Sequence, residues 1–344
     1  MKPPQAPRNI LIVRVSSLGD VVHNMPMVAD LKRRFPEARI DWVVEEAYAP
    51  LIQLNRSVTR VLPFALRRWR KSILSTATRA EMAQFRRALR AVAYDLVLDT
   101  QGLFKTGFVM YMARLATGGQ RVGLANATTG SGYEPISRIF HTRSVRVALN
   151  THAVRRARLV AAGALGYDIG SLDNLATGEL VDFCLDAPPL SSTTASWMPV
   201  APYAVFFHGT ARAAKQWPPD CWVTIGRMLA EAGTPVLLPS GSAAEKRRAC
   251  YLAEHIPGAV VLPDLPLMDA VLLAQQAALV IGVDSGLTHI AAAYLRPTVE
   301  LYCDSPRWKT EATWSPEIIN LGDAGAPPSV AEVWDAIEAL RKTA

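Results

Sequence analysis

Cysteine is sparse in this chain: Cys184, Cys221, Cys250 and Cys303 are the four cysteines in 344 residues, and no two form a CxxC pair. That spacing argues against a zinc module or a disulfide framework and fits a reducing cytoplasm. Long apolar runs are missing too, with none near the ~18 residues that would mark a membrane span. The opening MKPPQAPRNILIVRV has one short apolar segment and no small-residue cleavage site, so no secretory leader is read there. Several signatures are absent: D-x-D, HExxH, GxxxxGK[ST], GxSxG, and a GxGxxG after the first strand. A metal-dependent D-x-D transferase, a zincin, a Walker ATPase, an α/β-hydrolase and a dehydrogenase-type dinucleotide site are therefore without their defining residues. Heptads, short-period repeats and low-complexity segments are absent as well.

What the chain does have is a lopsided charge. Residues 1–170 hold 26 Lys and Arg against 11 Asp and Glu, a net +15, and residues 171–344 hold 11 against 19, a net −8, together the +7 of the whole. Any single arginine is most simply a solvating surface residue. The imbalance as a whole predicts that the first half faces an anionic partner: nucleic acid, a membrane surface, or a phosphorylated and carboxylated substrate. Nucleic acid fits least, because the basic residues lack interleaved aromatic platforms or a recognisable RNA or DNA motif.

Apolar strand-like runs alternate with amphipathic runs, the pattern of parallel sheets covered by helices and hence of an α/β protein. The first series of strands is expected at 9–15, 39–45, 60–64, 95–101 and 120–125, with helices at 21–34, 80–93, 105–116 and 152–166. A second series starts at YAVFFHGT (203–210) and continues at 235–241, 259–265, 279–286 and 298–303. Its helices are expected at 218–232, 243–256, 266–277 and 286–295, followed by a last one, VAEVWDAIEALRKTA. The Ser/Thr/Pro-rich stretch within 171–200 reads as the domain junction. At this length two domains are the default. Two α/β domains place ligands at the carboxyl ends of their strands, and in a cleft if the domains face each other.

Three strand-end loops could carry chemistry. After the first strand, Ser16-Ser17-Leu18-Gly19-Asp20 offers backbone N–H groups and a carboxylate; Asp20 is either a helix N-cap or a catalytic acid/base group. In FFHGTARAAKQWP, Thr210 and Lys215 supply a hydroxyl and an ammonium suited to a pyrophosphate. The strongest is Leu279–His289, where an apolar strand stops at Asp284, turns through Ser285 and Gly286, and enters a small-residue helix carrying His289. That turn reads as a phosphate cradle, against the plainer reading of Asp284 as an N-cap and His289 as a packing residue. Weaker features are the cations Arg67, Arg68, Arg70 and Lys71, either a solvated loop or a clamp on anionic groups. Glu245 either caps its helix or accepts hydrogen bonds from sugar hydroxyls.

Taken in order, LIVRVSSLGDVVHNMP, DWVVEE, RRWRK, YDLVLDTQGLFK, FFHGTARAAKQWP and VDSGLTHIAAA resemble the bacterial lipopolysaccharide heptosyltransferases of glycosyltransferase family 9. DWVVEE with RRWRK is more similar to the type I members than to type II. The resemblance spans about residues 9–303 without large gaps. It implies a GT-B fold of two Rossmann-like domains: an acceptor domain over 1–185, a donor domain over 186–328, and a last helix, about 329–344, packing back on the first. It also implies inverting transfer of L-glycero-D-manno-heptose from ADP-heptose to the inner Kdo of Kdo2-lipid A, without a metal or other cofactor. Asp20 matches the general base. Thr210, Lys215, Glu245, Leu265, Asp284, Ser285, Gly286 and His289 fall on the donor side; Ser17, Gly19, Arg67, Arg68, Arg70 and Lys71 fall on the acceptor side. Ala211 departs from a threonine common in related sequences. The expected location is cytoplasmic, peripheral to the anionic inner membrane surface through the first domain. The competing readings are heptosyltransferase II or another core transferase, and a nucleotide-sugar epimerase of the same architecture.

Overall fold

The computed structural model describes residues 6–169, 181–190, 197–199, 202–210 and 212–343. Ala211 and most of the Ser/Thr/Pro-rich junction lie outside the described residues. The chain forms two compact units, with residues 182–186 belonging to the first and residues 187–343 to the second. The 182–186 segment is tied into the first unit by the Arg56–Asp182 ion pair at 2.7 Å and by Asn55 Nδ2, which donates to the Phe183 carbonyl at 2.9 Å.

In the first unit, β1 (Asn9–Val13), β2 (Arg39–Glu45), β3 (Arg60–Phe64), β4 (Tyr94–Asp99), β5 (Leu115–Leu124) and β6 (Arg143–Val145) make one parallel sheet. Its order is β3-β2-β1-β4-β5-β6. The helices are α1 (Leu18–His23), α2 (Met25–Arg34), α3 (Ala49–Gln53), α4 (Leu66–Trp69), α5 (Thr76–Arg90), α6 (Phe104–Met112) and α7 (Ala153–Leu165). Central β1 is apolar almost throughout because both of its faces are covered, and Ile10 to Val13 are fully buried.

The second unit repeats the plan. Strands β7 (Ala204–Phe207), β8 (Val236–Leu238), β9 (Val260–Val261), β10 (Leu279–Val283), β11 (Thr298–Tyr302) and β12 (Ile318–Gly322) form a parallel sheet ordered β12-β11-β10-β7-β8-β9. Its helices are α8 (Pro219–Glu231), α9 (Ala243–His255), α10 (Leu267–Gln276), α11 (Gly286–Ala293) and α12 (Val330–Thr343). Read from β9, the order is third, second, first, fourth, fifth, sixth strand, the same as in the first unit. Two doubly wound Rossmann-like units in one chain are the components of the GT-B fold, and in each the order reverses between the first and fourth strands.

Some elements differ from expectation for identifiable reasons. The helix expected over 21–34 is two, broken at Asn24, with Pro26 accommodated in the first turn of α2. The helix expected to reach 116 stops at Met112, because Leu115 already pairs with Tyr94 and β5 then shifts register before Gln120. The edge strands β6 and β12 were not expected; β6 is three residues long and mostly polar. The Arg67–Lys71 cluster is not a plain loop, since Arg67 and Arg68 lie on α4. The last helix is also a correction: it belongs to the second unit. Val333, Ala336, Ile337 and Leu340, an apolar stripe at helical spacing, share a buried cluster with Trp222 and Leu229 of α8. Arg341 Nη2 donates to Thr234 Oγ1 at 2.6 Å, anchoring its far end to the same unit.

Candidate active site

In the first unit, the carboxyl ends of neighbouring β1 and β4 carry the Ser16–Asp20 and Asp99–Gly102 loops, where an open α/β sheet binds ligands. Asp20 is not the N-cap of α1. Ser17 holds that position, and the Asp20 carboxylate reaches back to accept its N–H at 3.3 Å and its hydroxyl at 2.9 Å. The other oxygen, Oδ1, meets Arg14 at 2.7 Å and Arg156 at 3.6 Å. Both arginine side chains are buried, whereas Asp20 keeps 34% of its side chain exposed. Partial burial opposes the charge on Asp20, but Arg14, Arg156 and His23, with the Ser17 hydroxyl, more than offset it and hold the carboxyl well below its usual range. Burial and the neighbouring Arg14 in turn push Arg156 down to about 10, against the pull of Asp20. Two guanidinium groups against one carboxylate leave a positive excess at this loop.

The loop is held from β4. Arg14 Nη1 donates to the Thr100 carbonyl at 2.8 Å, and Gln101 accepts from the Val15 N–H at 3.0 Å while donating to Ser16 Oγ at 3.3 Å. Asp99 fixes the β4 turn by accepting from the Gln101 and Gly102 N–H groups and the Thr106 hydroxyl. Gly19 lies in the first turn of α1. In the basic cluster, Arg68 is engaged by Glu46 at 2.9 Å and Glu81 at 2.8 Å, and Trp69 points inward with its indole N–H on Glu81. Arg67 lies beside Glu45, and Arg70 and Lys71 are exposed.

In the second unit the equivalent strand ends belong to β7 and β10. Thr210 and Lys215 follow β7; Asp284, Ser285 and Gly286 follow β10. The structure joins the two loops through one carboxylate: Asp284 Oδ2 lies 2.6 Å from Lys215 Nζ and Oδ1 lies 3.0 Å from His289 Nε2. The other ring nitrogen of His289 faces Glu300 at 3.2 Å, and Glu300 accepts the Tyr302 hydroxyl at 2.8 Å. Although burial opposes both charges, Asp284 is held far below the usual carboxylate range by His289 and Lys215, and His289 is raised to about 10 by Glu300 and Asp284. His289 is thus an imidazolium, with each N–H directed at an acid. Ser285, rather than Asp284, is the N-cap of α11, and its hydroxyl contacts Thr288 at 3.0 Å.

Glu245 lies in the first turn of α9 and accepts the Gly241 N–H at 2.7 Å. It also crosses β7's loop: a Cβ on Gly209 would stand 2.5 Å from the Glu245 carboxyl carbon. Glycine is therefore what lets this acid lie against the loop that follows β7. Leu265 lines a recess of about 730 Å³ together with Ser240, Gly241, Ser242, Lys246 and Asp264, a volume within the usual range for small-molecule sites.

The profile of glycosyltransferase family 9 (heptosyltransferase) matches residues 82–333. The chain belongs to that family. Among its relatives, lipopolysaccharide heptosyltransferase 1 of Pseudomonas aeruginosa is 38% identical over 85% of this chain and 78% of its own length. The enzyme of the same name from Escherichia coli K12 is 36% identical over 85% and 87%. Lipopolysaccharide heptosyltransferase 2 of Salmonella typhimurium is 25% identical over 85% and 82%. Among solved structures, the E. coli heptosyltransferase WaaC with ADP superposes with a TM-score of 0.80 at 32% identity, covering 96% of this chain and 99% of that one. The chain is therefore a glycosyltransferase with the GT-B fold.

Sequence reasoning missed groups that hold the site residues: Arg14, Arg156, Asp99, Gln101 and Glu300. A signal was present for two of them. Arg14 and Glu300 are charges inside otherwise apolar strand runs, NILIVRV and TVELYC, and a charge buried there requires a partner. Arg156 carried a weaker signal, since other arginines of the same helix are its neighbours in sequence.

Proposed function

We propose that this family 9 enzyme moves L-glycero-D-manno-heptose from ADP-heptose to the inner Kdo of Kdo2-lipid A, with inversion at the anomeric carbon. The observation that carries this reading is that each unit has its own polar strand-end site, of different chemistry. One has a solvent-reaching carboxylate held ionised, Asp20; the other has an ammonium and a helix start gathered around Asp284. Asp20 would take the proton of the acceptor hydroxyl as the glycosidic bond forms, with Ser17 and Gly19 shaping its loop. Lys215, Thr210 and the Ser285–Gly286 turn would meet the charge that develops on the departing ADP. Asp284 and His289 would fix the donor end of the site, and Glu245 and Leu265 would line the nucleoside recess. Arg67, Arg70 and Lys71 supply cations for an acceptor rich in phosphate and carboxylate. Arg68, already shared between Glu46 and Glu81, would contribute by holding α4 in place.

Lys215 supplies positive charge beside the donor site, and the departure of the nucleotide requires no divalent metal. The type I assignment is supported by 36–38% identity to heptosyltransferases 1 against 23–25% to heptosyltransferases 2. Among the described residues no helix is long and apolar enough to cross a membrane. The basic first half supports a peripheral, electrostatic attachment to the cytoplasmic face of an anionic inner membrane.

The direct test offers ADP-heptose with either Kdo2-lipid A or its heptosylated product. Transfer to the first and little to the second is expected. Preference for the second would make the enzyme type II, and sugar interconversion without any acceptor would make it an epimerase. Replacing Asp20 by Ala is expected to lower kcat by about 10²–10⁴ with the donor KM unchanged, as for loss of a general base. Near-normal turnover with both substrates bound would remove Asp20 from that role.

A further inference from the structure

One prominent feature of the first unit, apart from Arg70 at its edge, is not used by the reaction described above. Helices α4, α5 and α6 enclose an apolar groove of about 480 Å³. Its floor is an aromatic triangle in which Phe64, Trp69 and Phe85 have ring centroids 5.4, 5.2 and 5.7 Å apart. Its walls are Met82, Phe104 and Phe108, which remain 38%, 47% and 46% exposed. Core packing accounts for the floor. It does not account for three large apolar side chains left facing solvent around one groove.

Charge narrows what would cover them. Among the described residues no carboxylate lines the groove, whereas Arg70, Arg86 and Lys105 do. An apolar slot whose charged lining residues are all cations fits an alkyl chain carrying an anionic head better than a neutral sterol. Position connects it to the acceptor residues. Lys105 Nζ lies 3.4 Å from Ser16 Oγ in the loop that carries Asp20, and Arg70 belongs to the basic cluster.

We propose that the groove seats one acyl chain of the anionic, lipid-linked acceptor, with Arg70, Arg86 and Lys105 meeting the anionic groups where the chain emerges. This rests on the reading of the acceptor as lipid-linked, and the groove acts as a specificity determinant for that acceptor.

The test uses the full-length protein and needs no transfer for its first arm. Calorimetric titration with octyl, decyl and dodecyl phosphate, each below its micelle concentration, is expected to show Kd falling by up to about fourfold per added methylene. Ala83→Trp, on the exposed surface of α5 at the groove, should flatten that gradient, and Phe108→Asp should do the same if the tryptophan variant fails to fold. In the second arm, wild-type enzyme should show a lower KM for fully acylated than for deacylated acceptor, and A83W should raise KM only for the acylated one. An absent gradient overturns the groove while leaving the transferase reading intact. A gradient unchanged by both variants places the chain elsewhere, and equal KM effects on both acceptors overturn the assignment to the acceptor. Displacement by acceptor-free phosphatidylglycerol vesicles as effective as by the acceptor would give the groove to bulk membrane lipid and also overturn it.

Discussion

His289 is buried with an acid on each ring nitrogen, Asp284 at 3.0 Å and Glu300 at 3.2 Å. Its pKa rises from 6.5 to about 10, so the folded state binds this proton more tightly than the unfolded state does. The resulting stabilisation is fully present below about pH 6.5 and is lost as pH rises through about 10. The melting temperature of the wild type should therefore fall steadily between pH 7 and 10, and His289→Gln should show a shallower fall over the same window. Equal slopes for the two proteins in calorimetric scans would contradict the charged assignment. At this scale the sequence was legible where chemistry interrupts a strand end, as at Asp20, Lys215 and Asp284. It was illegible where the partner is distant along the chain: nothing near Asp20 in sequence announces Arg156, and nothing near His289 announces that Glu300 lies opposite it. Asp284 was read as a possible N-cap, but Ser285 fills that position, which leaves the carboxylate for Lys215 and His289.

Among the close approaches at glycine in the second unit, one lies at the candidate site and one in the core. Gly209 gives way to the Glu245 side chain, whose flexible end can move; Gly226 in α8 lies against Ile256, a buried branched residue that cannot. Gly209→Ala should push Glu245 off the Gly241 N–H, costing about 1 kcal/mol of stability and raising the donor KM. Gly226→Ala should cost about 1–3 kcal/mol through overpacking and leave the donor KM unchanged. Paired urea melts and donor titrations separate the two, and a donor effect from Gly226→Ala would show that the recess depends on the α8 core. Long apolar strands and amphipathic helices were readable because parallel sheets bury whole strands. The edge strands β6 and β12 were not, since an edge strand keeps a pairing partner on one side only and tolerates polar residues. The break at Asn24 was hidden because a proline in a first helical turn leaves the helical pattern on either side intact.

Across the whole molecule, both units use the same strand order, and each gathers its polar residues where that order reverses. That repetition was visible as two successive strand and helix series, and the ordered motifs gave the family. The destination of the last helix was not, because its apolar stripe suits any apolar surface, and only the shared cluster with Trp222 and Leu229 decides it. Ile337→Asp should destabilise the protein by about 3 kcal/mol or more, by burying an unpaired charge in that cluster. Hydrogen exchange should speed up in β7, β10 and β11 and leave β1 and β4 unchanged; acceleration confined to β1 and β4 would return the helix to the first unit. The charge asymmetry is legible at this scale alone, since +15 and −8 are properties of halves rather than of residues.

The contact between Lys215 and Asp284 has a consequence for turnover. On the proposed reaction the pyrophosphate would share the Lys215 ammonium with an internal anion 2.6 Å from it, so the cation would hold the donor less tightly than an unpaired ammonium would. The same sharing would apply to the nucleotide product, and would favour its release.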